Sequence, residues 1–593
     1  MRRSLVRSIA VALIAGLVVV ASQVAASADV GPHGPATATG TGGAAATVDT
    51  LATQAAVDTL RGGGNAVDAA VTAAAVLGVT EPFSCGIGGG GFMVVYRASD
   101  GKVTTIDSRE RAPAAMRPDS FWEGGSALPF NDARFSGLSV GVPGTVASWD
   151  EALSKYGTIS LSAALRPAIR VARDGFVVDQ TFFDQTQQNV DYFDDVPSTA
   201  ALYLDPDGTP RDVGTVMRNP DLASTYERLA RLGSKGFYTG AVADALVETV
   251  QHPPISPTAN HTWRPGLMTA SDLKAYMAPD RAPTRVGYRG LDVYSMGPPS
   301  SGGSTVGEAL NVLEGYRLST MKREAALHYY LEASRYSFAD RNAYVADPAY
   351  FDVPLKGLLS DDFAAVRRRL ITKTAAQSPV APGDTYRYND GGGATAQAAA
   401  TETRAGTTTH ITPADASGDV VSYTFTIEST GGAGMVVPGF GFLANNELTD
   451  FNYDSLTHPN RVEGGKRPRS SISPTVVLQG GKPLLAVGSP GGSTIITTVL
   501  QILVDRLDLG LTLPQAIADP RLSQRNTATT QVEPAFLTTP EASALQARGH
   551  VFSTTPEIGA ATGIEFLGGD RLLAAAEPVR RGGGSAMVVS PSP

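Results

Sequence analysis

Three consecutive threonines, Thr407, Thr408 and Thr409, stand where the texture of the chain changes. From about Ala375 to Arg404 the residues are small and polar with no apolar period, so that stretch can bury little and is expected to stay mobile. Further on, Val421, Tyr423, Phe425 and Ile427 alternate with Ser422, Thr424, Thr426 and Glu428, the pattern of a strand with one buried face. A hydroxyl held where loose chain meets rigid sheet can attack the peptide bond before it. Cleavage there would leave an N-terminal threonine whose α-amine, with an ordinary pKa of about 8, can accept the hydroxyl proton. Nucleophile and base would then share one residue. The same pattern also describes three ordinary β-branched strand residues.

The spacing supplies a partner. If Thr408 to Pro413 pairs antiparallel with Val421 to Ile427, the loop from Ala414 to Val420 centres on Ser417, and Thr408 faces Thr426. Alternation then puts Glu428 on the face of Thr426. Gly491 and Gly492 precede a helical pattern through Ile495, Val499, Leu500 and Leu503, so their N–H groups would open at a helix N-terminus and suit a developing oxyanion. A tight turn reads equally well. Arg109 and Arg111 follow a strand from Thr104 and can grip a carboxylate. Asn445-Asn446-Glu447-Leu448-Thr449-Asp450-Phe451 and Arg469-Ser470-Ser471 add acids and hydroxyls. With Arg109 they would form a pocket for a zwitterion, acids holding an ammonium while Arg and Ser hold a carboxylate.

Competing motifs fail on context. Gly86 to Gly91 matches G-x-G-x-x-G but leads into a strand, not a helix, which excludes dinucleotide binding. Ser319-Thr320-Met321-Lys322 has no S-D-N or K-T-G after it. The seven histidines form no H-E-x-x-H and the chain has a single cysteine, so a metal site has little support and no cofactor is expected. Cys85 reads as a packing residue, and no intrachain disulfide is possible.

The elements that must position these groups are legible in part. Val48, Leu51, Ala52, Ala55 and Ala56 repeat at helical spacing and Gly62 to Gly64 end the run. Asn65 then caps an alanine-rich helix with Asp68 three residues on, which implies close packing against another layer. Residues 142 to 351 are mainly helical in pattern, Gly480-Gly481 divides a hairpin, and strands followed by helices on both sides of the threonines predict sheets covered by helices. The chain has 593 residues, 42% hydrophobic and 18% charged, with a net charge of -9 and no basic run, which argues against a nucleic-acid partner. Met1-Arg2-Arg3, an apolar run from Ile9 to Val20 and Ala26-Ser27-Ala28 read as a secretory signal peptide over residues 1–28, so an extracellular protein with no stable membrane anchor is expected.

Taken in order, these motifs resemble the γ-glutamyltransferases (γ-glutamyl transpeptidases), N-terminal-nucleophile hydrolases. The resemblance runs through Gly64 to Ala70, Glu81-Pro82 and the glycine loop, Arg109-Glu110-Arg111-Ala112-Pro113, Pro298 to Gly303, Thr408-Thr409-His410, Asn445 to Phe451, Arg469 to Thr475, Gly488 to Gly492, and Asp519-Pro520-Arg521. It implies an α/β fold, a four-layer αββα sandwich formed jointly by a large chain, 29–407, and a small chain, 408–593, released by self-cleavage. It also implies that Thr408 attacks a γ-glutamyl amide such as glutathione, Thr426 hydrogen-bonds it, and Gly491 and Gly492 hold the oxyanion. Arg109, Ser470 and Ser471 would take the donor α-carboxylate, and Glu428, Glu447 and Asp450 its α-amino group. Water, an amino acid or a dipeptide would resolve the acyl-enzyme. Two departures stand out. Many members carry Asn and Gln at the positions of Glu428 and Glu447, although a bacterial subgroup has Glu at both, and the segment from Asp450 to Ser470 is shorter than in members with a lid loop. An open cleft that admits long γ-glutamyl peptides is the expectation.

Overall fold

The computed structural model describes residues 30–31, 34–389 and 406–592. The leader at 1–28 and the latter part of the small-residue tract, from 390 on, lie outside the described residues. In chain order the elements used below are β1 (Thr37–Thr47), α1 (Thr50–Arg61), α2 (Ala66–Thr80), β2 (Gly90–Arg97), β3 (Lys102–Asp107), β4 (Thr284–Tyr288), β5 (Leu291–Ser295), α3 (Gly302–Glu314), α4 (Arg323–Tyr344), β6 (Thr409–Asp415), β7 (Val420–Thr426), β8 (Thr475–Gln479), β9 (Lys482–Gly488), α5 (Thr494–Leu507), β10 (Thr562–Gly568), β11 (Arg571–Ala576) and β12 (Ser585–Pro591).

Among the described residues these strands form one antiparallel path, β3-β2-β7-β6-β1-β11-β10-β9-β8-β5-β4, with β12 along the other edge of β1. β1 is the hinge of this path. Its residues 43–46 pair with β6 and its residues 37–40 with β11, so the sheet doubles over. Val94, Tyr96, Ala414 and Val420 of one half then pack against Val476, Leu478, Ala486 and Ile564 of the other. The opposite face of the first half, with Met93, Val95 and Val421, is covered by α1 and α2. That of the second half, with Val477, Leu485 and Val487, is covered by α3, α4 and α5. The result is the expected αββα layering.

Local signals act where they were read. Asn65 accepts hydrogen bonds from the N–H groups of Val67 and Asp68, and Asp68 accepts from Asn65 N–H, closing the cap of α2. Every residue of α2 is buried, which its alanines and Gly78 permit: a Cβ at Gly78 would stand 2.7 Å from the Tyr226 hydroxyl.

Two expectations need correction. β7 is buried on both faces, not one. Its polar face meets the second half of the sheet, where Ser422 Oγ donates to Val487 O at 3.2 Å and Thr424 Oγ1 lies 2.6 Å from His410 Nδ1. Side-chain hydrogen bonds replace water there. The tract after Ala375 is also pinned as far as residue 389. Ala375 N–H donates to Arg548 O, Val380 N–H to Asn526 Oδ1 and Gly383 N–H to Asp340 Oδ1, and Tyr386 is buried. Backbone donors anchor a stretch that lacks an apolar period.

Candidate active site

β6 and β7 are in the register that the arithmetic about Ser417 requires, with Thr409 opposite Phe425 and His410 opposite Thr424. One step further, Thr408 Oγ1 lies 3.1 Å from Thr426 Oγ1. Both hydroxyls are 2.6 Å from the carbonyl oxygen of Thr407. Each hydroxyl has one proton, and the arrangement that uses both runs from Thr408 to Thr426 and from Thr426 to that carbonyl. The bond between Thr407 and Thr408 is thus polarised by one hydroxyl while the other sits beside it. Its flanks are fixed: Thr407 N–H donates to Glu428 O at 2.7 Å, and Arg581 Nη1 donates to Thr408 O at 2.8 Å.

β7 ends at Thr426, and Glu428 adopts φ +78°, a backbone conformation that non-glycine residues rarely take. The turn, not strand alternation, aims its carboxylate. Asn446 Nδ2 donates to Glu428 Oε2 at 2.5 Å and Ser429 Oγ donates to the same oxygen. Burial pushes this carboxyl up to about 7, with the Asp450 charge adding to the rise.

An open cleft collects Thr408, Thr426, Glu428, Arg109, Glu447, Asp450, Ser470, Ser471 and Gly492. Of the catalytic and substrate-binding residues that the resemblance implies, Gly491 alone lies outside it, in an adjoining cleft with Arg525, Gln531 and Arg581. Gly406 lines both, so the chain just before the threonines forms the partition. Gly491 and Gly492 have φ of +130° and +56°, ahead of α5, and neither N–H finds an acceptor among the described residues.

The charged side of the cleft is self-compensated. Arg109, 1% exposed, pairs through Nη1 with Glu447 and through Nη2 with Asp450, while its Nε and Nη2 donate to Pro468 O and Arg469 O. Burial disfavours the guanidinium charge, but Glu447 and Asp450 more than offset it, so Arg109 stays a cation. Burial pushes Glu447 well above the usual carboxylate range. Ser470 Oγ accepts from Ile472 N–H, and Ser471 Oγ accepts from Arg341 Nη2 at 2.6 Å. The segment beyond Asp450 is tied to itself: Asn452 N–H donates to Asn460 O, and Lys466 Nζ to Pro459 O at 2.6 Å.

Some readings do not hold. Arg111 turns away and donates to Gly465 O, since its backbone is bridged to Val142. Asn445 is a brace whose Nδ2 donates to Gly88 O and Gly141 O. Sequence reasoning missed three contributors. Arg341 on α4 also donates through Nε to Ser301 Oγ, Arg581 holds the Thr408 carbonyl, and Glu110 lies against Arg109. None of the three had a sequence signal of its own: α4 buries Arg335 as well as Arg341, Glu110 lies within a motif, and Arg581 lies outside every motif. Two histidines do meet: His328 Nδ1 lies 2.9 Å from His550 Nε2, beside Glu332. Glu332 is occupied by Arg335 and Ala376 N–H, and His328 Nε2 donates to Thr372 O, which leaves His328 Nδ1 to accept from His550 Nε2 between neutral rings. Cys85 is buried, and burial raises its thiol well above the ordinary value, so it is a packing residue.

The family described as Gamma-glutamyltranspeptidase matches residues 52–587. The chain is 39% identical to a glutathione hydrolase proenzyme of Bacillus subtilis (strain 168) over 87% of this chain and 86% of that protein. It is 36% identical to a glutathione hydrolase proenzyme of Escherichia coli (strain K12) over 81% of this chain and 80% of that protein. Among solved structures, a cephalosporin acylase from Bacillus halodurans superposes with a TM-score of 0.80 at 28% identity, covering 93% of this chain and 96% of that one.

Proposed function

This chain belongs to the γ-glutamyltranspeptidase family, and from that premise we propose that it is a secreted, self-processing γ-glutamyltransferase and glutathione hydrolase that works through a γ-glutamyl-Thr408 ester. The observation that carries the reading is the Thr408 hydroxyl 2.6 Å from the Thr407 carbonyl oxygen, in one cleft with Arg109 and three acids. In the precursor, Thr408 Oγ attacks the Thr407 carbonyl carbon, the amide N–C bond breaks, and the proton lost by Oγ ends on the new α-amine. Water then hydrolyses the Thr407 ester, giving chains 29–407 and 408–593.

Catalysis repeats the same displacement on the donor. The α-amine takes the Thr408 proton as Oγ attacks the γ-carbonyl, the oxyanion accepts from the N–H groups of Gly491 and Gly492, and the amine passes its proton to the leaving nitrogen. Removal of Gly406 and Thr407 from the partition would join the two clefts and leave room for the departing group. Arg109, Ser470 and Ser471 take the donor α-carboxylate, while Glu428, Glu447 and Asp450 take its ammonium. A zwitterion exchanges Arg109–acid pairs for two pairs of its own, so buried charges are never left alone.

The likeness to a cephalosporin acylase favours a second reading, cleavage of glutaryl amides that lack the ammonium. The decisive experiment compares release from a γ-glutamyl anilide, glutathione, poly-γ-glutamate and a glutaryl amide, with and without an acceptor dipeptide. Preference for the γ-glutamyl donors by about 10²-fold or more, the scale for leaving a buried charge unpaired, supports the proposal. Faster turnover of the glutaryl amide overturns it. Equal turnover of long and short donors supports the open cleft. A small chain in the medium beginning at Thr408 supports secretion and processing together.

A further inference from the structure

Resting on the reading that Arg109 takes the donor α-carboxylate, we infer that Glu110 is a positioning residue that shares one proton with Glu447, so that the two carboxyls together present Arg109 with one negative charge instead of two. Glu110 is fully buried and tightly seated: a Cβ at Gly90 would stand 2.7 Å from its Oε2, and one at Gly141 2.7 Å from its Cβ. Neither of its carboxyl oxygens meets a hydrogen-bond donor among the described residues, and neither does Glu447 Oε2. Arg109 does not serve both acids, since Nη1 closes on Glu447 Oε1 and stops 4.0 Å from Glu110 Oε2. The two carboxyls converge on the same guanidinium nitrogen, Arg109 Nη1. Buried carboxyl oxygens that no donor reaches are satisfied by a proton.

Burial is the first cause of the upward shift at both acids, taking Glu110 up to about 8 and Glu447 well above the carboxylate range, and the charge of Arg109 opposes it. The other groups facing the pair are Asp450, Glu428, and the hydroxyls of Tyr238, Tyr276 and Tyr423. Burial raises all three tyrosines above their ordinary range, so none of them gains charge near neutrality. With the proton in place, Arg109 faces Asp450 and a singly charged pair. Once it is lost, a further negative charge stands beside the seat of the donor carboxylate. The sign follows: the proton is held at low pH and lost as pH rises through about 8, so donor affinity falls on the alkaline side. Neither carboxyl touches the reacting atoms, so the effect belongs to KM.

The test measures kcat and KM for a γ-glutamyl anilide from about pH 6 to about pH 9 in the mature wild type, Glu110→Gln and Glu447→Gln. Wild-type KM is expected to rise about tenfold more than that of Glu110→Gln between about pH 7 and about pH 9, the factor that one pH step of titration beyond the pKa carries. Ionisation of the donor ammonium is common to all three enzymes, and the Thr408 α-amine acts on kcat, so neither mimics this difference. Glu447→Gln offers Glu110 an amide donor and is expected to lose the same alkaline rise, which keeps the test open if Glu110→Gln does not mature. A Glu110→Gln profile within twofold of wild type, or one lowered equally at every pH, overturns the inference. Failure of all three to cleave the anilide would instead refute the functional reading. The infrared band of a protonated carboxyl, present in wild type and absent in Glu110→Gln, then still decides the proton.

Discussion

The two walls of the cleft solve opposite problems. The wall of Thr407, Thr408 and Thr426 is built from two paired strands, and its groups are hydroxyls, carbonyls and N–H groups. The imidazole nearest in sequence, His410, is driven down to about 3 by burial and stays neutral between the two sheet halves. The wall of Arg109, Glu428, Glu447 and Asp450, with Glu110 buried beside Arg109, comes from turns and short helical segments and is crowded with charge. On the proposed mechanism, bond-making is placed where the backbone is paired and little titrates, and recognition where groups can exchange partners. The contrast then predicts that self-cleavage needs only the first wall, whereas turnover needs both.

The largest expected effect tests the first wall. Thr408→Ala removes the hydroxyl that attacks, and the chain is expected to run as one uncleaved band on a denaturing gel with activity about 10⁴-fold down or lower. Two fragments from this variant would place the nucleophile elsewhere. Next comes a variant that separates the walls. Arg109→Gln leaves Glu447 and Asp450 without their cation, which costs roughly 3–5 kcal/mol of stability for a buried pair broken on one side. It is expected to mature into two chains while kcat/KM falls about 10²–10³-fold. A precursor that no longer cleaves would show that the charged wall also serves processing, and the contrast would fail.

Legibility from sequence follows the same division. The hairpin could be placed because antiparallel register is arithmetic: a centre at Ser417 fixes Thr408 opposite Thr426. The helix caps and the helix-covered sheets came from short-range patterns, and Asn65 with Asp68 closes as spacing requires. That the path doubles over at β1 was not legible, because Thr37 to Thr47 is small and lacks apolar alternation, and its role is to pair with different strands along its two halves. For the same reason the serine and threonine face of β7 read as solvent-facing, since its partners lie dozens of residues away at Val487 and Thr475. The charged wall was visible as residue types, and its members came together, but their pairing was not. Arg109 was assigned to a substrate carboxylate and is held by two acids of the same cleft. Glu110, between two arginines of a motif, drew no reading of its own and is fully buried.

The smallest expected effect sharpens the contrast from the acid side. Glu428 stands at the seam, its backbone oxygen holding Thr407 N–H and its carboxylate facing the charged wall. Burial and the neighbouring Asp450 raise this carboxyl to about 7, so it is charged above that value and takes a proton as pH falls through it. A charged Glu428 attracts the donor ammonium and a neutral one does not. Wild-type KM should therefore rise on acidification below about pH 7, by several-fold and up to about tenfold as the charged fraction of this carboxyl falls, while processing of the precursor stays constant. Glu428→Gln keeps the amide oxygen and the shape but cannot ionise, so its KM should sit at the raised level and remain flat across that range. The backbone bond to Thr407 is untouched by the change, and cleavage of this variant should match wild type. Slower cleavage would mean that the strained turn at φ +78°, rather than the charge, is what residue 428 contributes, and would tie the two walls together at this one position.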